Sequence, residues 1–457
     1  STGAAASLRV EIQDAEGQPI PGFAMRECPE IIGDQIDRVV TWDQGSDVHA
    51  LAGRPIRLRF ALKDADVFSF RFKTGPEPIT ASNPGPAMRQ MLSIQWKKGP
   101  NLPQGFQDSD GGILGRTLVT VGGFCSGQAN VPGKEGKHPR QFLRQAWGLG
   151  LDQPEKGWQA IPPLAGPARQ EHAAIVVNDQ LYLWGGFSYT APFCYQDGYR
   201  LRRNENQWVW ETLPPLPWPV GSPGIAAVGS RIYLMGGSDY DEQHFYTNTD
   251  RKGQVQRLGA RLLVFDTADA AAGWKTLESC PGTPRFVHAM AAVQGRLYVI
   301  GGAGGDDNSS GKYCTVVDNW AFDLASARWE RLADTPVATG NFPAGAIVFQ
   351  DRYVVLVGGC PYHQILNPDG STRPVYGQVT KHDPKNAYNS DMLVFDTATR
   401  TFGTADPLPL CNNLPMAVLA GNTLHLIGGE TGGAIIEGEP FGHHPDLYLT
   451  GELRLKP

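Results

Sequence analysis

Three carboxylates of this sequence stand at positions where side chains could move protons. Asp108 and Glu171 lie just before apolar strands, in QDSDGG and RQEH, and Glu430 directly follows a glycine doublet in GGETGG. Two facing carboxyl groups can act as acid and base, or as nucleophile and acid, on a sugar, and their separation decides which. The alternative for Asp108 and Glu171 is an ion pair with Arg169 or Arg285. The candidate catalytic residues are therefore Glu430, Glu171 and Asp108.

A second group of residues suits a polar ligand such as a sugar. Aromatic rings can cover the apolar faces of a sugar, and amides can bond its hydroxyl groups. Candidate ligand-binding residues are Tyr189, Tyr240, Tyr362, Asn341, Asn412 and Asn413, with Arg169 and Arg285 as cationic partners. Each of these arginines precedes a histidine, His172 or His288, at the same offset, and a motif repeated in this way is typical of scaffold. Both interpretations of the arginines stay open.

Acidic residues in two loops could supply oxygen ligands to a hard cation. Asp239 and Asp241 lie in one loop, and Asp306, Asp307 and Asn308 lie in another. Neither group matches the spacing of a calcium-binding loop. We expect no metal site and no cofactor.

These residues are positioned by a repeat. Six apolar runs each end in a glycine doublet, at 122–123, 185–186, 236–237, 301–302, 358–359 and 428–429. The doublets recur every 51 to 70 residues, close to the roughly 50-residue period of kelch repeats. Glycine at a strand end permits positive φ and the close approach of a neighbouring backbone. Six doublets predict six blades.

Each repeat also carries an aromatic residue that opens a strand before a turn. These residues are Trp96, Trp158, Trp210, Trp274, Trp329 and Phe402. With the two strands around each doublet and a third apolar strand, such as LLVFDT at 262–267, they give four short strands per repeat, as in a propeller blade. Trp96 precedes the first doublet, and the last repeat lacks a fourth strand. We therefore expect the segment 91–96 to complete the last blade and close the ring.

The N-terminal residues 1–72 carry none of these marks. They alternate in short runs such as LRVEIQD and IRLRFALKD, which predicts a small antiparallel β module. Residues 73–90 are rich in proline and glycine and indicate a linker. The predicted propeller then spans 91–457.

Composition narrows the expected partners. The 40 Lys and Arg residues against 46 Asp and Glu give a formal net charge of −6, so there is no basic excess for nucleic acid. The seven cysteines include no C-x-x-C pair, so neither a disulfide framework nor a zinc cluster is expected. No apolar run reaches the roughly 20 residues of a membrane span. A sugar or glycan is the expected partner.

Long loops follow most of the doublets. In a four-stranded blade, the loop after the second strand and the segment entering the first strand lie on the same face, and long loops in compact units are usually functional. We therefore expect the site where this face meets the central channel. Glu430 is the strongest single candidate, because its neighbours place it at this channel mouth.

The repeat region resembles a known family. The six-repeat order, the stretch GPARQEHAAIVVNDQLYLWGG and the final LIGGETGG resemble the kelch-type sialic acid mutarotases, also called N-acetylneuraminate epimerases. This resemblance implies six blades, acid and base side chains that interconvert the anomers of a free sugar, and an arginine that holds its carboxylate. Glu430 and the region of Arg169 match the family pattern. Where the family carries a Gly-Glu pair and a downstream arginine in its fourth blade, this chain reads GGAGGDDNSSGKY.

The N-terminal module resembles an accessory β-sandwich of bacterial polysaccharide-degrading proteins. This resemblance implies an extracytoplasmic location, periplasmic or secreted. The predicted fold is thus all-β, a six-bladed kelch β-propeller with a small N-terminal antiparallel β-sandwich-like module. Two functions remain as hypotheses. One is an enzyme acting on sugars, either a mutarotase or epimerase or a glycoside hydrolase; the other is a noncatalytic module that binds a glycan or a protein on the same face.

Overall fold

The computed structural model describes residues 7–29, 40–43, 46–63, 70, 72, 88–125, 140–205, 207–239, 258–304, 314–361, 364–367, 371–374, 388–431, 434–436, 439–441 and 444–456. The chain divides into two compact units, 1–77 and 78–457. Within the described ranges, no helix has the length and apolar character needed to cross a membrane.

The second unit is built from six four-stranded antiparallel blades. Blade 1 consists of Asp110–Leu114, Thr117–Val121, Ala146–Gly150 and Gln159–Ile161. Blade 2 consists of Ala173–Val177, Gln180–Trp184, Gly198–Asn204 and Gln207–Leu213. Blade 3 consists of Gly224–Val228, Arg231–Met235, Leu262–Asp266 and Trp274–Thr276.

The second half of the propeller repeats this plan. Blade 4 consists of Ala289–Val293, Arg296–Ile300, Trp320–Asp323 and Arg328–Arg331. Blade 5 consists of Ile347–Phe349, Tyr353–Val357, Met392–Asp396 and Thr401–Thr404. Blade 6 consists of Met416–Ala420, Thr423–Ile427, Tyr448–Leu455 and Leu92–Lys98. The all-β, six-bladed fold predicted from the repeat is confirmed.

The blades form a closed ring. The first strands of neighbouring blades contact one another in cyclic order, from blade 1 round to blade 6 and back to blade 1. The fourth strand of blade 6, Leu92–Lys98, precedes blade 1 in the chain and pairs antiparallel with Tyr448–Leu455. The two ends of the propeller therefore share one sheet, and this join leaves no open edge.

Each pair of neighbouring blades encloses its own apolar core. Six clusters of buried side chains lie one at each interface, because the blades stack face to face and their middle strands are covered on both sides. Four of the repeat tryptophans reach across the interface. The indole N–H groups of Trp96, Trp158, Trp210 and Trp329 each donate to a backbone carbonyl in the turn of the preceding blade, at 2.9 to 3.1 Å.

The glycine doublets join each blade to the next. In five of the six blades, the second glycine donates its N–H to a carbonyl just before the next blade's first strand, as Gly186 does to Val220 at 2.8 Å. Gly186 has φ of +91°. A Cβ there would stand 2.7 Å from the carbonyl oxygen of Gln170. Only glycine occupies this position without strain.

Loops after the doublets form three smaller sheets. Their strands are Phe124–Cys125 with Gln141–Phe142, Ala434–Ile436 with Glu439–Phe441, and the four-stranded set Ala303–Gly304, Cys314–Val316, Gln364–Leu366 and Thr372–Pro374. In the four-stranded sheet, Cys314–Val316 and Gln364–Leu366 pair in parallel, so the loops of blades 4 and 5 are tied together. Short 3₁₀ turns occupy Pro154–Lys156, Leu258–Ala260 and Thr267–Ala272.

The first unit is described as one antiparallel ribbon with short turns. Ser7–Gln13 pairs with Arg57–Lys63, and 3₁₀ turns occupy Met25–Glu27 and His49–Leu51. Its apolar core includes Trp42, whose indole N–H donates to the carbonyl of Val10 at 2.9 Å. A β-sandwich for this module stays a prediction, and most of the predicted linker at 73–90 lies outside the described residues.

We predict that Gly186→Ala destabilises the propeller by roughly 3 kcal/mol or more, because it combines a left-handed backbone with a clash. Gly229→Ala is the matched control: Gly229 has φ of +59°, and a Cβ there would meet nothing within 4 Å. That change should cost only about 1–2 kcal/mol. The test compares the urea concentrations at which the two variants are half unfolded. Equal losses would show that the doublet does not depend on the close contact.

Candidate functional site

Six residues, one from each blade, form a ring around the channel just before the first strands. They are Asp108, Glu171, Ser222, Val287, Asn341 and Leu414, and all six are left-handed, with φ between +44° and +57°. Backbone hydrogen bonds link neighbours. The N–H of Asp108 donates to Leu414, that of Glu171 to Asp108, that of Ser222 to Glu171 and that of Val287 to Ser222, at 2.9 to 3.4 Å. We call this ring the throat.

The throat brings the three predicted catalytic carboxylates into one sector. Asp108 and Glu171 occupy neighbouring positions, on blades 1 and 2. Glu430 follows the doublet of blade 6 and exchanges backbone hydrogen bonds of 2.7 and 2.9 Å with Asn413, the residue before the throat position. The charges of Glu171 and Glu430 both act on Asp108. The carboxylates therefore cluster where blades 6, 1 and 2 meet.

Asp108 has the most perturbed environment of the three. Its side chain is buried, and Oδ1 has no hydrogen-bond partner. Burial, and then the negative charges of Glu171 and Glu430, raise the pKa of Asp108 well above its usual range, against a hydrogen bond from Gln107 that lowers it. A carboxyl group whose charged form is disfavoured in this way holds its proton and can act as an acid.

The other two carboxylates are each stabilised by a donor. The Ser222 hydroxyl donates to Glu171 Oε2, and Asn413 Nδ2 donates to Glu430 Oε2 at 2.9 Å. Both glutamates are half-buried. Hydrogen bonds to a carboxylate favour its charged form, so these two side chains are suited to accept a proton where Asp108 is suited to give one.

A small cavity lies on the strand side of the throat. It has a volume of about 30 Å³ and is lined in part by Asp108, Asp110, Glu171, Ser222 and Leu414. By volume it holds roughly one or two water molecules. A sugar ring does not fit there, so a sugar that reaches these carboxylates must approach from the mouth, where Glu430 lies.

An aromatic wall stands in the same sector of the mouth. Phe142 contacts both Phe124 and Tyr189, with ring centroids 5.0 and 4.8 Å apart, and His444 lies 5.6 Å from Phe124. Tyr189 is 38% exposed. The exposed guanidinium of Arg140 lies over the Phe124 ring, 4.9 Å from its centroid. The wall offers rings to the apolar face of a ligand and a cation to an anionic group.

Sequence reasoning found Tyr189 but missed the rest of this wall. Phe124 follows its doublet as Glu430 follows its own, so the repeat carried a signal for it. Phe142 and Arg140 come from an irregular loop with no counterpart in the other repeats, and nothing in the sequence points to them.

Apolar side chains fill part of the mouth beside the carboxylates. Phe187, Phe286, Val287, Ala303 and Leu414 are buried together. Leu414 neighbours Asp108 in the throat, so this cluster borders the sector where blades 6, 1 and 2 meet, and the mouth is not open all round. There the polar atoms are not all matched, because Gln170 Oε1 and Asn413 Oδ1 also lack partners.

The prediction that Arg169 and Arg285 bind substrate is corrected by their placement. Both side chains are fully buried. Arg169 makes two 2.7 Å bonds to the carboxylate of Asp197, and Arg285 Nη2 lies 2.9 Å from Asp318 Oδ2. Each also donates to the carbonyl of the first glycine of its own doublet, at 2.9 and 3.2 Å. The guanidinium N–H groups of both arginines are therefore used to hold the scaffold together.

The predicted amide residues separate in the same way. Asn412 is fully buried and donates to the carbonyl of Gly428 at 3.0 Å, which is the scaffold role of the arginines. Asn341 is a throat residue whose Nδ2 donates to Cys360 Sγ at 3.4 Å, and Asn413 supports Glu430. Tyr240 and Tyr362 lie outside the described residues.

The repeated histidines are buried against the doublets. A Cβ on Gly122 would stand 2.9 Å from the ring of His172, and one on Gly224 would stand 2.4 Å from the ring of His288. Burial, and then the charge of Arg169 or Arg285, lowers the pKa of each histidine to about 3. Both histidines are therefore neutral side chains that pack between blades, as the repeated motif suggested.

Among the residues that the structure describes, no group of three or more His, Cys, Asp or Glu side chains is arranged to hold a metal ion. Of the predicted loop acids, Asp239 is described, whereas Asp241, Asp306, Asp307 and Asn308 are not.

The repeat agrees with comparisons to known proteins. The profile of the KLHDC2/KLHL20/DRC7 Kelch-repeats domain matches residues 171–429, which is more than half of the chain. The chain belongs to this kelch-repeat family.

Individual relatives of this kelch protein are more distant. N-acetylneuraminate epimerase of Pasteurella multocida is 23% identical over 365 residues, covering 73% of this chain and 88% of that protein, which confirms the resemblance seen in the sequence. Tip elongation aberrant protein 3 of Schizosaccharomyces pombe is 29% identical over 187 residues, covering 36% of this chain and 16% of that protein. A solved structure described as the structure of YjhT has a TM-score of 0.52 at 14% identity, covering 78% and 99% of the two chains; it supports the fold alone.

We predict that Asp108→Asn stabilises the protein. Asparagine tolerates the left-handed backbone, keeps an oxygen that can accept from Gln107, and removes a buried carboxyl group whose charged form is disfavoured. The pKa of Asp108 is about 4 in the unfolded chain and higher in the folded protein. The stability gained by the variant should therefore grow as the pH rises from about 4 to the folded pKa, and then level off. Melting temperatures across this range make the test, with exposed Asp152→Asn as control. A variant less stable than wild type at every pH would contradict it.

We also predict an acid-sensitive scaffold. The unfolded chain protonates its histidines below about pH 6.5, whereas folded His172 and His288 resist protonation to about pH 3. Stability should therefore fall as the pH drops through this window, with a slope approaching about two protons from this pair. The double variant His172→Asn, His288→Asn should lose that part of the slope. Exposed His49→Asn should keep it, and an unchanged slope in the double variant would disprove the assignment.

Proposed function

We propose that this protein accelerates the interconversion of the anomers of a free sugar by acid–base catalysis. The observation that carries the proposal is the unequal environment of the throat carboxylates. Asp108 is buried with its pKa raised, beside Glu430, which is half-exposed and accepts a hydrogen bond. Neighbouring carboxyl groups whose environments differ in this way are suited to act as acid and base.

The chemistry needs two proton transfers and no net change. A base removes the proton of the anomeric hydroxyl while an acid protonates the ring oxygen, so that the bond between the anomeric carbon and the ring oxygen breaks and an open-chain carbonyl forms. Closure on the other face of the carbonyl returns both protons. We assign Glu430 as the base, because it lies at the mouth, and Asp108 as the acid.

The substrate is inferred from the relatives and from the wall. A relative named N-acetylneuraminate epimerase aligns over most of both chains, and we propose N-acetylneuraminate or a similar acidic sugar here. The aromatic wall provides rings for a sugar face, and exposed Arg140 can pair with a carboxylate. Arg169 and Arg285 cannot take this role while they are buried on Asp197 and Asp318.

Noncatalytic binding is the second candidate. The observation that favours it is the apolar filling of the mouth beside the carboxylates, which restricts access to Asp108. A glycan or a protein could then dock on the aromatic wall without reaching the acid. The two candidates differ in whether Glu430 and Asp108 alter a rate.

We predict that the purified protein accelerates anomer exchange of N-acetylneuraminate, measured by NMR saturation transfer against the spontaneous rate. Glu430→Gln and Asp108→Asn should each lower the catalysed rate by about 100-fold or more. Asp152→Asn, an exposed carboxylate-to-amide change on the outside of blade 1, should not alter it. Neutral hexoses in parallel samples test the preference for an acidic sugar.

The same spectra separate the alternatives. Release of sugar from an added glycoside would indicate a hydrolase. Line broadening of the sugar without faster exchange would indicate a binding module. Full exchange activity in Glu430→Gln would remove this residue from the site.

A further inference from the structure

The throat holds a second carboxyl pair, Asp108 with Glu171, and the proposed reaction uses only Asp108 of these two. Asp108 and Glu171 are neighbours in the ring, joined by the 3.1 Å bond from the N–H of Glu171 to the carbonyl of Asp108. Both line the cavity on the strand side of the throat. The next throat residue, Ser222, donates its N–H to the carbonyl of Glu171 at 2.9 Å and its hydroxyl to Glu171 Oε2.

We propose that Asp108 and Glu171 share one proton across this cavity, and that the Ser222 hydroxyl is the positioning residue that keeps the proton on Asp108. Ser222 does so by satisfying one oxygen of Glu171 as a carboxylate. Asp108 Oδ1, which is buried without a hydrogen-bond partner, is then the atom that carries the proton. The cavity has room for roughly one or two water molecules, through which the proton can pass between the two groups.

The electrostatics agree with this geometry. After burial, Glu171 is the largest cause of the raised pKa of Asp108, ahead of Glu430. Two adjacent carboxyl groups in a desolvated site do not both ionise readily, so they titrate as a pair. Each member has one side-chain donor, Gln107 on Asp108 and Ser222 on Glu171. Asp108 is buried whereas Glu171 is half-buried, and this difference breaks the symmetry between them.

Other ionisable groups near the pair do not offer a competing donor. Asp110 lines the same cavity, and burial raises its pKa to about 7; its oxygens accept from the N–H groups of Ala174 and Gly111, at 2.8 Å each. His172 also lines the cavity and is neutral, with its pKa lowered to about 3. Arg169 is occupied by Asp197. Glu430, on the mouth side, adds negative charge and strengthens the hold of Asp108 on its proton.

The pair has a consequence for catalysis that rests on the proposed function. An acid that gives its proton to a ring oxygen must regain one before the next turnover. Glu171 is placed to stabilise the protonated state of Asp108 at rest and to exchange a proton with it through the cavity. Ser222 would thereby set the pH range in which the acid is loaded.

The test measures the pair without any sugar. The melting-temperature difference between Asp108→Asn and its parent, followed from pH 4 to 9, reports the folded pKa of Asp108, because the variant lacks that titration. The midpoint of this difference, plotted against pH, gives that pKa. We expect the midpoint to fall by about one pH unit or more when Asp108→Asn is compared with its parent in a Glu171→Gln background, since a like charge has been removed. Ser222→Gly should move the midpoint the same way, because glycine keeps the left-handed backbone while Glu171 loses its donor and competes for the proton.

Two further variants make the readout specific to the hydroxyl. Ser222→Asn, which tolerates a left-handed backbone and supplies an amide donor, should restore the wild-type midpoint. Val287→Gly, the matched change at the next throat position, should leave it unchanged. An unmoved midpoint in Glu171→Gln, or a Val287→Gly shift as large as that of Ser222→Gly, would overturn the proposal.

These outcomes are independent of the anomer-exchange assay. A shifted midpoint without exchange activity would support the pair and refute the proposed reaction. Exchange activity whose pH profile is the same in wild type and Ser222→Gly would refute the role of Ser222 and leave the proposed reaction standing.

Discussion

The hydrogen bond from the second glycine of a doublet to the next blade is the constraint on which the propeller depends. It forms only where the backbone is left-handed and no Cβ intervenes, as at Gly186. The acceptor is the carbonyl of a residue two positions before the throat, such as Val220 or Arg169. These bonds therefore fix the start of the following blade at five of the six steps around the ring.

Because of this constraint, each residue of the segment that leads into a first strand has a different structural role. In blade 2, the carbonyl of Arg169 accepts the doublet bond of blade 1, Gln170 pairs with Phe187, Glu171 lies in the throat and His172 wedges against a doublet. Only the third position faces the channel beside its neighbours from the other blades. Its side chain is not needed for the bond between blades, so chemistry can be placed there without altering the fold.

The sequence was sufficient to predict the repeat, because glycine doublets and tryptophans are required by contacts that recur in every blade. It also named Asp108, Glu171 and Glu430 as candidates, the first two because they depart from the repeat. It left open whether Arg169, which the repeat gives again as Arg285, binds a ligand or serves the scaffold. The left-handed turn at Glu171 sends the side chains of Arg169 and Glu171 in different directions, and a turn at a non-glycine residue leaves no clear mark in the sequence. The roles of Arg140 and Ser222 depend on contacts with residues far away in the sequence, which the sequence does not reveal.

The throat carboxylates show how the scaffold permits a locally unfavourable site. Glu171 is satisfied by Ser222 and Glu430 by Asn413, while Asp108 keeps an unpartnered oxygen in a buried position. Such a group costs about 1–3 kcal/mol, which the six apolar interfaces between blades can offset, because their side chains point away from the channel. The useful property of the site is therefore the inequality among its carboxyl groups. If Oδ1 of Asp108 also had a donor, Asp108 would hold a proton less tightly, and the throat would have a base but no acid.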